Sequence, residues 1–205
     1  APPSRDGSDL IRDLERTVEE RGIPVACGQP AIRLLTSGDR VIGAQTRDRR
    51  GESTCIGAKS VILASNGFGA NRSLLAKLCP LAVAAQYAGA RGSEGEALGW
   101  GQDPRAATGN TAAFQGHAAL ATRNGALVTW TVVERGAVIV DRDGRRIADE
   151  TIGYSAFAAR ELAAEGPFHM IYDTRIAGDV RTGQPTFGEV CQPGVMIVAE
   201  TVEDL

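Results

Sequence analysis

Two features of this sequence could do chemistry: the glycine-rich turn Asn66-Gly67-Phe68-Gly69 and the lone histidine His117. The turn follows an unbroken apolar run, Val61-Ile62-Leu63-Ala64, and precedes a helical pattern over 72–78. A strand entering a helix through glycines lets the backbone approach a ligand closely. Free N–H groups at a helix start suit a phosphate or a polarised carbonyl. A tight strand-to-helix turn with no ligand has the same local pattern, so the residues alone leave both readings open. His117 lies in an irregular stretch of small residues, where a satisfied loop histidine and a ligand contact are both compatible with the pattern.

Other chemistries are disfavoured. The four cysteines, Cys27, Cys55, Cys79 and Cys191, stand far apart with no CxxC pair, and only His117 and His169 could join them. No zinc site is expected, and reduced thiols in a cytoplasmic protein are the simplest reading. A net charge of −3 offers nothing to nucleic acid or an anionic membrane surface. No apolar run is long enough to span a membrane, and the polar stretch 1–7 predicts no signal peptide. With 205 residues, 43% hydrophobic and 23% charged, the chain can build one good-sized core or two small ones.

The elements that position these groups follow from periodicity. Ser8 can cap a helix to about Arg21, with Leu10, Ile11, Leu14 and Val18 on one face and Gly22 as its stop. Short strands are expected at 23–26, 31–35, 40–47 and 53–58, with turns at Ser37-Gly38-Asp39 and Arg50-Gly51-Glu52. The run 61–64 suits a strand buried on both faces. Helices follow over 72–78, ended by Pro80, and over 96–100. Asp141-Arg142-Asp143-Gly144 predicts a hairpin between 136–140 and 145–147. Ser155 is expected to cap a helix over 156–164. A strand follows at 168–172, and the remainder reads as loop. The order argues for an α/β (α+β) fold.

Four ordered segments resemble the flavoproteins of the fumarate reductase/succinate dehydrogenase family. Ala58-Lys59-Ser60-Val61-Ile62-Leu63-Ala64-Ser65-Asn66-Gly67-Phe68-Gly69-Ala70-Asn71 resembles A-K-x-V-I-L-A-T-G-G-F-G-x-N, with Asn66 in place of the first glycine. Asn is among the non-glycine residues best able to take positive φ. The stretch 92–101 resembles G-x-T-G-D-G-I-x-W-G, keeping Gly95, Trp100 and Gly101 and placing Glu96 where the family has Asp. Gln115-Gly116-His117 resembles Q-x-H-P. The segment from Gly136 to Glu150 resembles G-G-I-x-V-N-x-x-G-x-R-F-x-D-E, and Gly153-Tyr154-Ser155 resembles the G-Y-S of a tricarballylate dehydrogenase-like subgroup.

The resemblance implies a partial FAD-binding Rossmann-like domain over 1–118 and a partial α+β capping domain over 119–205, together a central fragment of the family's enzyme. The N-terminal dinucleotide fingerprint and the C-terminal substrate segment are not in this sequence. FAD is the implied cofactor, with Ala31, Ala64, Ser65, Asn66, Gly67, Gly69, Asn71, Gly95 and Glu96 as its contacts. His117 is implied to hold a substrate carboxylate, and Thr129 is the retained member of a Thr-Glu substrate pair. Fumarate reductases place a proton-donating Arg where this sequence has Tyr154, so that mechanism does not carry over. In 3-ketosteroid dehydrogenases, which share the fold, a catalytic Tyr follows a similar signature at about the same spacing. Tyr154 is therefore the candidate proton-transfer group, against a purely structural role. Arg145 and Arg146 could bind a carboxylate, although a turn-flanking pair is usually solvated. The expected substrate is a small carboxylate or enone, oxidised or reduced at a carbon–carbon bond. A truncated module without flavin is the alternative. The electron partner is not legible.

Overall fold

The computed structural model describes residues 7–101 and 105–205. They divide into two compact units, one spanning Leu10–Phe114 and one built on Gln115–Leu205.

Helix α1, Gly7–Glu20, opens the described chain and buries none of its residues. Its apolar stripe of Leu10, Ile11 and Leu14 is exposed. Paired charges on its polar face, Arg16 with Asp13 and Glu20, add only small local support. The antiparallel meander β1 (Ala31–Ser37), β2 (Arg40–Arg47) and β3 (Ser53–Gly57) follows the turn signals.

Two expected strands of this unit are absent. The segment 23–26 is coil, because Pro24 removes a ladder donor and no neighbouring strand recruits the rest. Val61–Ala64 also joins neither sheet, and Ile62 is 90% exposed. The run has the apolar character of a doubly covered strand, but no described strand lies beside it. Helix α2, Arg72–Leu78, is capped by Asn71, whose side chain accepts from the Leu74 N–H at 3.0 Å. Pro80 then begins a short 3-10 helix. Leu75, Cys79 and Ala82 form a small core with Phe68 and Phe114 against it. Helix α3, Glu96–Trp100, completes this unit's regular elements.

The second unit holds the larger core. Helix α4 (Thr131–Glu134) and strand β4 (Val138–Val140) are followed by helix α5 (Tyr154–Ala163), strand β5 (His169–Ile171) and helix α6 (Thr174–Gly183). Phe157, Phe187, Val132, Ile139, Ile176 and Val180 meet at its centre. The expected hairpin forms as a short antiparallel pairing, with a bridge from Val140 to Arg146, the Asp141 N–H donating to the Arg145 carbonyl and the Ile147 N–H to the Ile139 carbonyl, and β4 pairs with β5 as well. The Asp141 carboxylate accepts from the N–H groups of Asp143 and Arg145, which closes the turn. Ser155 is not the cap of α5. Gly153 takes that place at φ 85°, ψ 157°, a conformation open to glycine. Helix α6 replaces part of the expected terminal loop. Its start is Asp173, which accepts from the Ile176 N–H at 2.8 Å.

Glu161 lies half-buried on α5, and desolvation pushes its carboxyl up to about 7. Unfolded, the group ionises near 4.3, so between these values the native state binds more protons. Its contribution is complete below the unfolded value and is lost as pH rises through about 7. The full linkage is about 4 kcal/mol, which partial solvent access cuts to about 1–2 kcal/mol. Glu161→Gln is expected to flatten this loss, giving a higher Tm than wild type at pH 8 and little difference at pH 4.5. Equal Tm differences at both values would refute it.

Candidate functional site

A cleft lies in each unit among the described residues. In the first, the turn after Val61–Ala64 is clamped to the chain at 93–95. Asn66 sits at φ 67° and its side-chain amide donates to the Ser93 hydroxyl at 2.9 Å. Ser93 is buried, so this bond satisfies a hydroxyl away from water. Asn66 thus keeps the left-handed turn in the absence of glycine. The Ala70 N–H donates to the Ser93 carbonyl, and the Asn71 side chain donates to the Glu94 carbonyl at 3.1 Å. Gly95, at φ 86°, starts α3 where a Cβ would strike Phe68 and Leu74.

Beside this turn lies a cleft of about 350 Å³, lined among others by Ala31, Arg33, Val61, Ala64, Ser65 and Glu96. That volume is in the range of small-ligand sites. Residues 61–65 make no hydrogen bond among the described residues. Their N–H and C=O groups, beside an apolar wall, are available to a planar polar ligand. The donor set therefore fits part of a dinucleotide. Of the residues expected at the cofactor, Ala31, Ala64, Ser65 and Glu96 line the cleft. Asn66, Gly67, Gly69, Asn71 and Gly95 build the turn and its clamp.

The second cleft is about 440 Å³ and is lined by Gln115, Gly116, His117, Thr129, Trp130, Thr131, Glu134 and Tyr154. Tyr154 is the first residue of α5, placed by the Gly153 turn and anchored through Phe157, which is fully buried. One face of its ring stacks on His117, with centroids 5.1 Å apart and planes at 27°. Trp130 meets it edge-on at 6.4 Å. The Gln115 amide Nε2 donates to the Tyr154 hydroxyl at 2.7 Å. Burial lowers the His117 pKa. The side chain is exposed by its accessible surface, and the Tyr154 ring over one face supplies the partial loss of water. At neutral pH the imidazole is therefore mainly neutral and offers hydrogen bonds in place of a positive charge.

The structure thus gathers His117, Thr129 and Tyr154 around one cleft. Gln115, Trp130, Thr131 and Glu134 join them without having been assigned roles from the sequence. Gln115 was visible as part of Gln115-Gly116-His117. Nothing local marked Trp130 as the neighbour of Tyr154. Arg145 and Arg146 do not line this cleft. Arg145 pairs with Asp143 at 3.3 Å, and Arg146 is bound to the buried Glu150.

Residues 2–179 match the family described as FAD binding domain. A probable fumarate reductase, Ifc3, of Shewanella frigidimarina is 26% identical over 172 residues, covering 83% of this chain and 29% of the relative. The NADH:fumarate oxidoreductase of Klebsiella pneumoniae is 27% identical, covering 82% of this chain and 18% of its own length. The chain therefore spans less than a third of the curated relatives named here. Among solved structures, the open conformation of a flavocytochrome c3 fumarate reductase superposes with TM-score 0.69 at 23% identity, covering 87% of this chain and 32% of that one. A 3-ketosteroid-Δ4-(5α)-dehydrogenase from Rhodococcus jostii superposes with TM-score 0.67 at 21% identity, covering 96% and 39%. These similarities carry the α/β flavoprotein fold. No helix among the described residues is long and apolar enough to cross a membrane.

Proposed function

The chain belongs to the FAD binding domain family of flavoprotein oxidoreductases, and from that premise we propose that it forms the flavin- and substrate-contacting part of an enzyme that forms or reduces a carbon–carbon double bond beside a carbonyl or carboxylate. The observation that carries this reading is Tyr154 on the wall of the second cleft, its ring stacked on His117 and its hydroxyl accepting from Gln115.

FAD, when bound, supplies the hydride exchange. Ala31, Ala64, Ser65 and Glu96 would hold it in the first cleft, and Asn66, Gly67, Gly69, Asn71 and Gly95 would shape the turn beside it. We read the first unit as the cofactor domain and the second as the capping domain. Tyr154 holds or moves the proton at the carbon next to the one that exchanges hydride. In reduction its O–H bond breaks as a C–H bond forms. In oxidation the phenol oxygen takes the proton back. Neutral His117 and the Thr129 hydroxyl donate to the substrate oxygen and fix which carbon faces Tyr154.

The charge of the cleft favours a substrate class. Among the described residues lining it none is Lys or Arg, one is the acidic Glu134, and three aromatic rings form the walls. A dicarboxylate or tricarboxylate would enter with no opposite charge from these residues. A flat uncharged ketone or enone would meet aromatic faces and three neutral donors. This favours a 3-ketosteroid dehydrogenase-like substrate over fumarate, or over the tricarballylate suggested by the Gly153-Tyr154-Ser155 and Gln115-Gly116-His117 motifs.

The test is the purified full-length protein, first by its visible spectrum. It is then assayed by dye-linked oxidation of a cyclic ketone and by viologen-linked reduction of a cyclic enone, fumarate and aconitate. Flavin absorption with turnover on the ketone–enone couple is expected. A colourless protein that takes up no added FAD would overturn the cofactor reading. Faster reduction of fumarate or aconitate than of the enone would overturn the substrate class.

A further inference from the structure

We infer that Gln115 is a positioning residue that aims the Tyr154 proton into the second cleft, an inference that rests on the proton-transfer reading of Tyr154. A phenol oxygen carries one proton and can accept elsewhere, and its O–H prefers the plane of the ring. Two in-plane directions are therefore open to that proton. The Gln115 amide donates to the oxygen at 2.7 Å, which reserves one direction for a lone pair. The proton is left in the other. The ring cannot turn to undo this, because His117 is stacked on one face and the edge of Trp130 abuts it.

The same three residues, Gln115-Gly116-His117, supply both the amide and the stacked imidazole. One short segment thus sets the direction of the hydroxyl and the plane of its ring. Gln115 is exposed and takes no part in the buried core. Its contribution is therefore expected in the chemistry more than in folding. Were the amide turned over, its carbonyl would take the phenol proton and draw it away from the cleft. The two arrangements make opposite demands on a carboxylate at this position.

The experiment uses the flavin-loaded full-length protein and the substrate that gives turnover. Gln115→Leu removes the donor and is expected to lower kcat about three- to tenfold with KM and flavin absorption unchanged, the range of one neutral hydrogen bond. Gln115→Glu is isosteric but accepts only when ionised. At pH 7.5 it is expected to fall at least as far as Gln115→Leu, by recruiting the phenol proton. Its ratio to wild type should then recover as pH drops toward about 4.3, where the new carboxyl gains a proton to donate. Gln115→Leu should show no such recovery. Combining Gln115→Leu with Tyr154→Phe should add no loss beyond Tyr154→Phe alone.

A Gln115→Glu variant with wild-type kcat at pH 7.5, or losses in the double variant that multiply, would overturn the inference. If Tyr154→Phe is itself fully active, the parent reading fails and this one with it. If Tyr154→Phe is slow and both Gln115 variants match wild type, only the role of Gln115 fails.

Discussion

Tyr154→Phe in the flavin-loaded full-length protein is expected to lower kcat by about 10²–10⁴-fold, the usual weight of a positioned proton-transfer group. The substitution removes a single oxygen. Phenylalanine keeps the ring that stacks on His117 at 5.1 Å and that Trp130 meets at 6.4 Å. The cleft wall therefore stays in place, and KM should change by less than about threefold, since a group acting only in the transition state is lost from kcat. The first cleft contains no part of Tyr154, so flavin absorption should be unaltered. Exchange of the substrate proton with solvent, followed by NMR, should slow in step with turnover. Turnover within about threefold of wild type would leave Tyr154 as a packing residue and remove the proposed chemistry from this cleft.

Legibility followed the range of the interactions concerned. Helix α2 was readable because helix and stop lie within ten residues and depend on no distant partner. The meander β1 to β3 was readable for the same reason, each strand pairing with the next. The run Val61–Ala64 was read as a buried strand because apolar character reports what a segment needs. It does not report what lies beside it, and no described strand does. The near partner of β4 was readable because Asp141–Gly144 marks the turn, while its longer ladder goes to β5, about thirty residues on, beyond the reach of local signals. Helix α6 went unseen behind its polar face, although Asp173 announced its start.

The second cleft joins residues up to 39 apart in sequence, Gln115 to Tyr154. Periodicity carries no information over that span. His117, Thr129 and Tyr154 came from the family resemblance. Gln115 as the partner of Tyr154 needed the fold.

Glu150→Ala is expected to cost about 2–4 kcal/mol of stability. The Glu150 side chain is 4% exposed. One carboxylate oxygen accepts from the Ile139 N–H at 2.8 Å, and the other accepts from the Arg146 guanidinium. Ile139 is the central residue of β4 and is itself buried, so alanine leaves a core N–H without its acceptor. Burial pushes the Glu150 carboxyl up, but the bonds from Arg146 and Ile139 outweigh it and hold the group below its ordinary value. A lowered native pKa means that the stabilisation is complete above about pH 4.5 and is lost as pH falls through the native value. Wild type should therefore show an acid limb in its denaturation midpoint that Glu150→Ala lacks. The two curves should converge at low pH. Glu150→Gln should recover little, because its amide nitrogen, itself a donor, must face a donor at one of the two sites. The consequence extends to the cleft. Glu150 begins the 3-10 turn that ends at Gly153, whose N–H donates to the Glu150 carbonyl at 3.1 Å, and Tyr154 follows directly. On the proposed role of Tyr154, the Asp149-Glu150 signature would act on the chemistry through the backbone. At a temperature where Glu150→Ala remains folded, kcat should fall with the loosened helix start while flavin absorption is kept. Chemical denaturation, acid titration and turnover measured on the same preparation test this, and a variant with wild-type midpoints across the pH range would refute the anchor.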